Sequence, residues 1–565
     1  VGIEAAGRHN FKVGYQFNRL FNTVDQGYAD LGIVQLFYGR GIDTLTGENT
    51  PTAGNLGSGF MQRFGTIGEA SSKNQSFFVQ DSWTISKRLT LNLGVRFENE
   101  VVPNFGTTGT QAIEFGWGDK IAPRLGFAFD LTGDGKTKLF GSYGWFYDRF
   151  KYELPRGSFG GDFFRRDYFE ILPSRGAAYQ GYTFNAILGG RPDVLGGTCP
   201  IVGGPGYSVC QFDFRIATNS EGADIFSTGA IDPNIKAARQ SEYTFGLERE
   251  LGSNFVIAGR YTHKQVDRAI EDVGVFNDQG SEAYIIGNPG FGLVCEISNT
   301  ANLPCPKANR DFDAVEVRLD KRATKYFFNA SYTWSRLHGN YSGLASSDEF
   351  GRSSPNVNRF FDLPMLGFNA NGDPDDGPLA TDRPHVVKAY GGYTFNWFGA
   401  NNNATTISAF TTFQSGTPQT TQYTQYAVTS AILFGRNDLG RTEMFSETDL
   451  SFSHRYKFGR DGRFTVEPFV NIRNLFDEKN VLTVQNTISN VDIRAAQLAA
   501  NGCTTCTGEG EVFDTIFNRG GITQFILAYL ANPTTSAANG RRNDYGLANH
   551  FQNPRDVRFG FRFFF

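Results

Sequence analysis

Three observations predict an all-β chain that crosses a membrane as an antiparallel β-barrel. Apolar and polar residues alternate with period two in segment after segment, the apolar face is rich in aromatics while the other carries charge, and short turns alternate with long irregular connections. A soluble sandwich also alternates, but only lipid outside and a wet lumen inside account for both faces together. Composition agrees: 55 Phe, 23 Tyr and 67 Gly against 3 Met in 565 residues suit many strands and turns rather than helices. Mean hydropathy is −0.34, and no apolar run approaches the roughly 18 residues of a spanning helix. Barrel strands pass unseen through such a window. The net charge of −4, with acids and bases mixed, gives no sign of a nucleic-acid partner.

The alternation is clearest in Phe11-Lys-Val-Gly-Tyr-Gln-Phe17 and Leu89-Thr-Leu-Asn-Leu-Gly-Val-Arg-Phe97. It recurs where Val315, Val317 and Leu319 alternate with Glu316, Arg318 and Asp320, and where Phe328, Ala330, Tyr332 and Trp334 alternate with Asn329, Ser331, Thr333 and Ser335. About fifteen strands are expected, near 1–6, 11–20, 72–85, 89–99, 120–130, 138–147, 240–251, 255–266, 312–322, 326–336, 384–395, 404–415, 443–458, 463–475 and 551–565. Short turns such as Ser86-Lys-Arg88, Gly252-Ser-Asn254 and Ala323-Thr-Lys325 separate some of them. Long segments at 21–70, 100–118, 148–238, 267–310, 337–381, 416–440 and 477–550 separate the others. Short turns on one rim and long loops on the other are the outer-membrane barrel pattern. With short turns periplasmic, the first and last strands both run toward the periplasm, so closing the sheet would pair them in parallel. Bacterial single-chain barrels are even and antiparallel. At least one further strand is therefore expected before Val1, and the start is read as a truncation or a processed edge.

Several segments resemble TonB-dependent receptors of the Gram-negative outer membrane, particularly the Oar-like branch. Phe77-Phe-Val-Gln-Asp-Ser-Trp83 with the strand 89–97 is similar to that family's mid-barrel hairpin, and Lys120-Ile-Ala-Pro-Arg-Leu-Gly-Phe127 with Leu139-Phe-Gly-Ser-Tyr-Gly144 to the next. Thr381-Asp-Arg-Pro-His385, Tyr390-Gly-Gly-Tyr393, Asn471-Ile-Arg-Asn-Leu-Phe476 and the terminal 553–565 follow in family order. The resemblance implies a twenty-two-strand barrel of which residues 1–565 supply roughly fifteen strands. It also implies an internal plug and a TonB-contacting box that this sequence does not contain, and a signal peptide is likewise missing. Energised uptake of a scarce, bulky nutrient (a siderophore, glycan or peptide) is the function implied, with the TonB complex as partner through the missing part. A structural or adhesive surface protein and a passive porin are the competing readings.

The residues themselves suggest several sites. Phe559, Phe561, Phe563 and Phe565 end the chain with an aromatic at every second position, similar to the signal read by the barrel-insertion machinery. They would equally serve as a last strand facing outer-membrane lipid. Six cysteines, Cys199, Cys210, Cys295, Cys305, Cys503 and Cys506, all fall in the long loops. Outside a reducing cytosol, the near-neighbour pairs 199–210, 295–305 and 503–506 suit disulfides better than a redox or zinc half-site. Thr132-Gly-Asp-Gly-Lys-Thr137 echoes the end of a phosphate-binding loop, but Asp130 stands where the motif needs Gly, so it reads as a hairpin turn. Asn369-Ala-Asn-Gly-Asp-Pro-Asp-Asp-Gly377 could offer calcium the carboxylates of Asp373, Asp375 and Asp376, but it lacks the closing bidentate Glu, and solvated acidic loops are commoner. Phe163, Phe164, Arg165, Arg166, Tyr168 and Phe169 form an aromatic and basic cluster. It suits stacking on a sugar, peptide or anionic chelate, and suits equally loop packing or lipopolysaccharide phosphates. Ile522–Leu530 reads as a short helix packed over the barrel mouth. The six histidines lack metal spacing and no nucleophile motif is present, so no enzyme is expected.

Overall fold

The computed structural model describes residues 2–4, 6–28, 32–39, 41–42, 49–50, 57–103, 113–150, 162–171, 208–212, 230–276, 282–341, 367–399, 402–425, 428–532 and 541–565. Fifteen strands follow one another through one antiparallel sheet, which also takes in the further strands Ile33–Tyr38, Asp162–Ile171, Ser208–Phe212 and Gly377–Pro378. The fifteen are β1 (Gly2–Glu4), β2 (Arg8–Gly27), β3 (Gly57–Ser86), β4 (Leu89–Val102), β5 (Ile113–Asp130), β6 (Thr137–Tyr147), β7 (Arg239–Gly252) and β8 (Phe255–Arg268). Then come β9 (Arg310–Arg322), β10 (Tyr326–Gly339), β11 (His385–Asn396), β12 (Asn403–Gln414), β13 (Phe445–Phe458), β14 (Phe464–Arg473) and β15 (Asp556–Phe564). Each pairs with the next in sequence, without crossover.

Turn chemistry explains the short connections. Between β7 and β8, Ser253 and Asn254 have φ of 49° and 61°, as a two-residue type I′ hairpin requires. Between β5 and β6, the amides of Gly133 and Gly135 both donate to the Asp130 carboxylate at 2.9 Å. Asp130, which spoils the phosphate-loop motif, thus supplies the anion that such amides would otherwise seek.

The two faces of the sheet differ as the alternation predicts. Tyr243, Phe245 and Leu247 on β7, Val315 and Val317 on β9, and Tyr332 and Trp334 on β10 are exposed along one face. A continuous apolar band of this extent far exceeds the few hundred Å² that soluble proteins leave in water, whereas lipid covers it at no cost. The opposite face is laced with charge pairs: Lys138–Glu248 at 2.7 Å, Arg260–Glu316 at 3.2 Å and Arg318–Asp320 at 2.7 Å. Glu467 of β14 sits between Arg455 of β13 at 2.8 Å and Arg562 of β15 at 2.7 Å.

Two expected boundaries are corrected. The segment 21–70 is not all loop, because β2 and β3 stay paired in register up to Gly27 and Gly65. Backbone pairing holds this arm together with the buried contact of Val24 with Ala70 and the bond from the Val101 amide to Asn74 at 3.2 Å, while Ser71, Ser72, Lys73, Asn74 and Gln75 show no apolar alternation. The last strand does not run from 551. Ala548–Phe551 pairs instead with Val481–Val484, and β15 begins at Asp556. Pro554, which has no amide to donate, stands in the break between them.

The described parts of several long connections pack together. Four of them, within 269–309, 340–384, 415–444 and 474–555, contribute Leu303, Ala370, Tyr423, Leu433, Ile488, Ile493 and others to one hydrophobic core. Helices α2 (Ala495–Ala500), α3 (Glu509–Asn518) and α4 (Thr523–Ala531) pack there through Leu498, Val512, Phe513, Ile516 and Ile526. The helix expected over 522–530 is α4. Helix α1 (Gly292–Thr300) belongs to a second core with Val273, Val275, Ile285 and Tyr341.

Candidate functional site

A groove of about 520 Å³ on β3–β6 is lined by Gln80, Asn92, Arg96, Arg124 and Ser142 together with apolar residues such as Phe78, Ala122 and Phe140. Arg96 donates to Ser76 at 2.7 Å and to Gln16 at 3.0 Å, and Arg124 lies over the Phe146 ring at 4.7 Å. This wall offers hydrogen-bond donors and fixed charge.

At the rim with the long connections, charged groups fasten loops to strands. Lys120 of β5 and Glu100 of β4 form a buried ion pair. The Lys120 ammonium also donates to the Asp148 carbonyl at 3.1 Å, and the Glu100 carboxylate accepts the Phe150 amide at 3.0 Å. Both contacts grip the start of the connection 148–238. Nearby, buried Tyr341 donates to Glu271 at 2.7 Å, and burial together with that carboxylate holds the phenol well above its ordinary range. Burial likewise pushes up Tyr423, whose hydroxyl donates to Gln425 at 2.7 Å.

The acidic loop distributes its carboxylates among different partners. Asp375 faces Arg436 at 3.2 Å, Asp376 accepts from Asn309 at 3.3 Å, and Asp373 accepts from Asn369 at 3.3 Å. Among the described residues no three His, Cys, Asp or Glu side chains are gathered as a metal site.

Cys295 and Cys305 are joined by a disulfide, their Cα atoms 5.2 Å apart, and so are Cys503 and Cys506, at 5.4 Å. The first closes a loop from α1, and the second lies in the shared core between α2 and α3. Cys199 lies outside the described residues. Cys210 lies on the strand Ser208–Phe212, opposite Arg165 in register. The backbone of the aromatic and basic cluster is the strand Asp162–Ile171, which pairs with Gly57–Thr66 at the top of β3. The side chains of Phe163, Phe164, Arg165, Arg166, Tyr168 and Phe169 lie outside the described residues. Phe559 and Phe561 of β15 are 78% and 74% exposed, and Phe563 stacks on Phe464 at 6.0 Å. Residue-by-residue reading missed the Lys120–Glu100 clamp and the Arg455–Glu467–Arg562 bridge. Charged residues at alternate positions of neighbouring strands were the available signal.

Residues 5–468 match a family described as the outer membrane beta barrel domain. The TonB-dependent transporter Oar of Myxococcus xanthus is 29% identical over 598 residues, covering 100% of this chain and 50% of that protein. The chain thus spans about half the length of that relative. Among solved structures, the outer membrane transporter YddB from Escherichia coli shares 10% identity at a TM-score of 0.43, over 87% of this chain and 59% of that one. The siderophore receptor PiuA from Acinetobacter baumannii shares 12% at 0.40, over 85% and 51%. With the family match running from β2 into β14, the chain belongs to the outer membrane β-barrel domain family and lies in the outer membrane of a Gram-negative bacterium.

Proposed function

We propose that this barrel is part of a TonB-dependent receptor that takes up a scarce, bulky nutrient of the siderophore, glycan or peptide class. The observation that carries the reading is similarity along the whole chain to a relative named as a TonB-dependent transporter. Two features of the molecule support it. The described parts of four long connections share one folded core that could carry a ligand-binding surface, and the sheet carries a charged, hydrogen-bonding face on which a polar solute can move. In this reading the loops capture the ligand, the TonB complex supplies the energy, and the barrel's own residues bind and conduct without covalent chemistry. The terminal aromatics Phe559, Phe561, Phe563 and Phe565 are the contact for the insertion machinery, and lipopolysaccharide surrounds the outer rim.

The test is depletion of medium components by cells with and without the gene, followed by mass spectrometry, in TonB-positive and TonB-deleted strains. Uptake that needs both the gene and TonB is expected. Uptake unchanged by TonB loss would sink the proposal. A steady open conductance of the native protein in planar bilayers would favour a passive porin instead.

A further inference from the structure

We propose that the short-turn rim of β9–β14 binds the head groups of anionic phospholipid in the periplasmic leaflet of the outer membrane. The short connections, at 4–8, 86–88, 130–136, 249–254, 321–325, 397–402 and 457–463, carry eleven Lys or Arg against five Asp or Glu, in a chain whose net charge is −4. Two of these turns lie along β9–β14 and hold six of the cations: Lys321-Arg-Ala-Thr-Lys325 and Lys457-Phe-Gly-Arg-Asp-Gly-Arg463. Asp461 is the one acid in them.

The six cations are not equivalent. Lys321 is committed, for its ammonium donates to the Ser253 carbonyl and lies over the Phe255 ring at 4.1 Å. The side chains of Arg322, Lys325, Lys457 and Arg460 are exposed and form no ion pair or hydrogen bond among the described residues. The Arg463 guanidinium meets only the Phe464 ring, at 5.5 Å. The acids of the flanking strand ends are already held: Asp320 by Arg318 at 2.7 Å, and Glu467 by Arg455 at 2.8 Å and Arg562 at 2.7 Å. Glu250 stands on β7, outside this stretch.

The neighbours of these turns fix their depth in the membrane. Exposed Tyr326, Tyr393, Phe395, Tyr456, Phe458 and Phe563 form a belt on the apolar face beside the turns, with Tyr326 and Tyr393 stacked at 6.4 Å. Such belts lie at the membrane–water interface. In one row of this face Phe395 stands opposite Thr405, and Thr405 opposite His454. The Thr405 hydroxyl is 2.8 Å from both Trp397 Nε1 and His454 Nδ1, a polar chain that hydrocarbon penalises and head groups accept. Phe398, in the turn after β11, is 94% exposed with φ of 55°. A ring held out there gains nothing in water but is covered in the interfacial zone. The unpaired cations therefore sit at head-group depth. The phosphate of a zwitterionic lipid is balanced by its own ammonium, so an anionic head group gains more from the rim, about fivefold for each cation near the surface. Such binding is independent of uptake, since a receptor, a porin or a surface anchor would carry the same rim.

The test places the native protein, purified from outer membranes, in vesicles of phosphatidylethanolamine and phosphatidylglycerol. One or the other lipid carries a photoactivatable group near its head, and cross-links are mapped by mass spectrometry. At 321–325 and 457–463, phosphatidylglycerol should label wild type more than phosphatidylethanolamine does, and the preference should shrink at high salt. Lys325→Gln, Arg460→Gln and Arg463→Gln together should cut phosphatidylglycerol labelling there about tenfold and leave phosphatidylethanolamine labelling unchanged. Arg542→Gln, which removes a pair with Asp544 in a long connection, should change neither. Equal labelling of wild type by the two lipids, a comparison that needs no variant, overturns the proposal. So does labelling of the triple variant by phosphatidylglycerol within about threefold of wild type while the barrel migrates as folded in unheated gels.

Discussion

Replacing Lys120 with Met tests whether one buried charge pair fastens a long surface connection to the barrel. The Lys120 and Glu100 side chains are 2% and 7% exposed. Removing one member of such a pair strands its partner's charge, at about 3–5 kcal/mol. Here Glu100 keeps its bond from the Phe150 amide, while the Asp148 carbonyl loses its donor. The lower end, about 3 kcal/mol, is therefore expected. At 1.4 kcal/mol per decade, the detached form of the connection 148–238 becomes about 100-fold more populated. Protease added to whole cells should cleave within that connection faster by a similar factor, since cleavage follows the open population when opening is fast. Lys120→Met with Glu100→Gln together should be milder than Lys120→Met alone, because no uncompensated charge remains. Cleavage of Lys120→Met within threefold of wild type, or a double variant equal to the sum of the singles, would refute the clamp.

Glu467→Gln should lower the temperature at which the barrel loses its heat-modifiable gel migration, by about 1 kcal/mol equivalent. Two charge-assisted bonds go, but both arginines are more than half exposed and solvent screens the loss. Cys295→Ser should loosen the loop after α1, ten residues along the chain, by about 2–3 kcal/mol. Hydrogen exchange over 292–309 reads this, and unchanged protection there would count against a structural role. Tyr341 is held protonated in the folded chain. Above about pH 10 an unfolded tyrosine releases its proton while the folded one keeps it, so stability contributed at neutral pH is lost as pH rises. Tyr341→Phe should flatten the fall in thermal stability between pH 9 and pH 11, and an unchanged slope would reject the buried-phenol account.

The strands were legible because a barrel writes its two environments into alternate residues: Val315 and Val317 face lipid, while Glu316 and Arg318 face charge partners. Two-residue turns such as Ser253-Asn254 are equally local, as are cysteine pairs ten and three residues apart. The arm of β2 and β3 was not legible, because its few apolar residues, Leu20, Phe21, Val24 and Ala70, follow no regular alternation along the chain. The surface core was hidden for a different reason. Tyr423, Leu433 and Ile493 are buried by partners from other connections, and no window along the chain contains both sides of those contacts. The clamp fell between these cases, since Glu100 and Lys120 are twenty residues apart and meet only once the ladder of β4 and β5 is in register.

The core shared by four connections bears on how such a surface can change. Connection 474–555 carries α2, α3, α4 and a disulfide, and looks like a cassette that could be moved to another barrel. Yet Tyr423, Leu433, Ala370 and Leu303, which close its core, belong to three other connections. Transplanted alone, it would arrive with apolar hollows where those side chains had been, at about 2–5 kcal/mol for each large one lost. New recognition properties in this lineage should therefore come from exposed residues at the tips of the connections, or from exchange of the whole surface layer as a block.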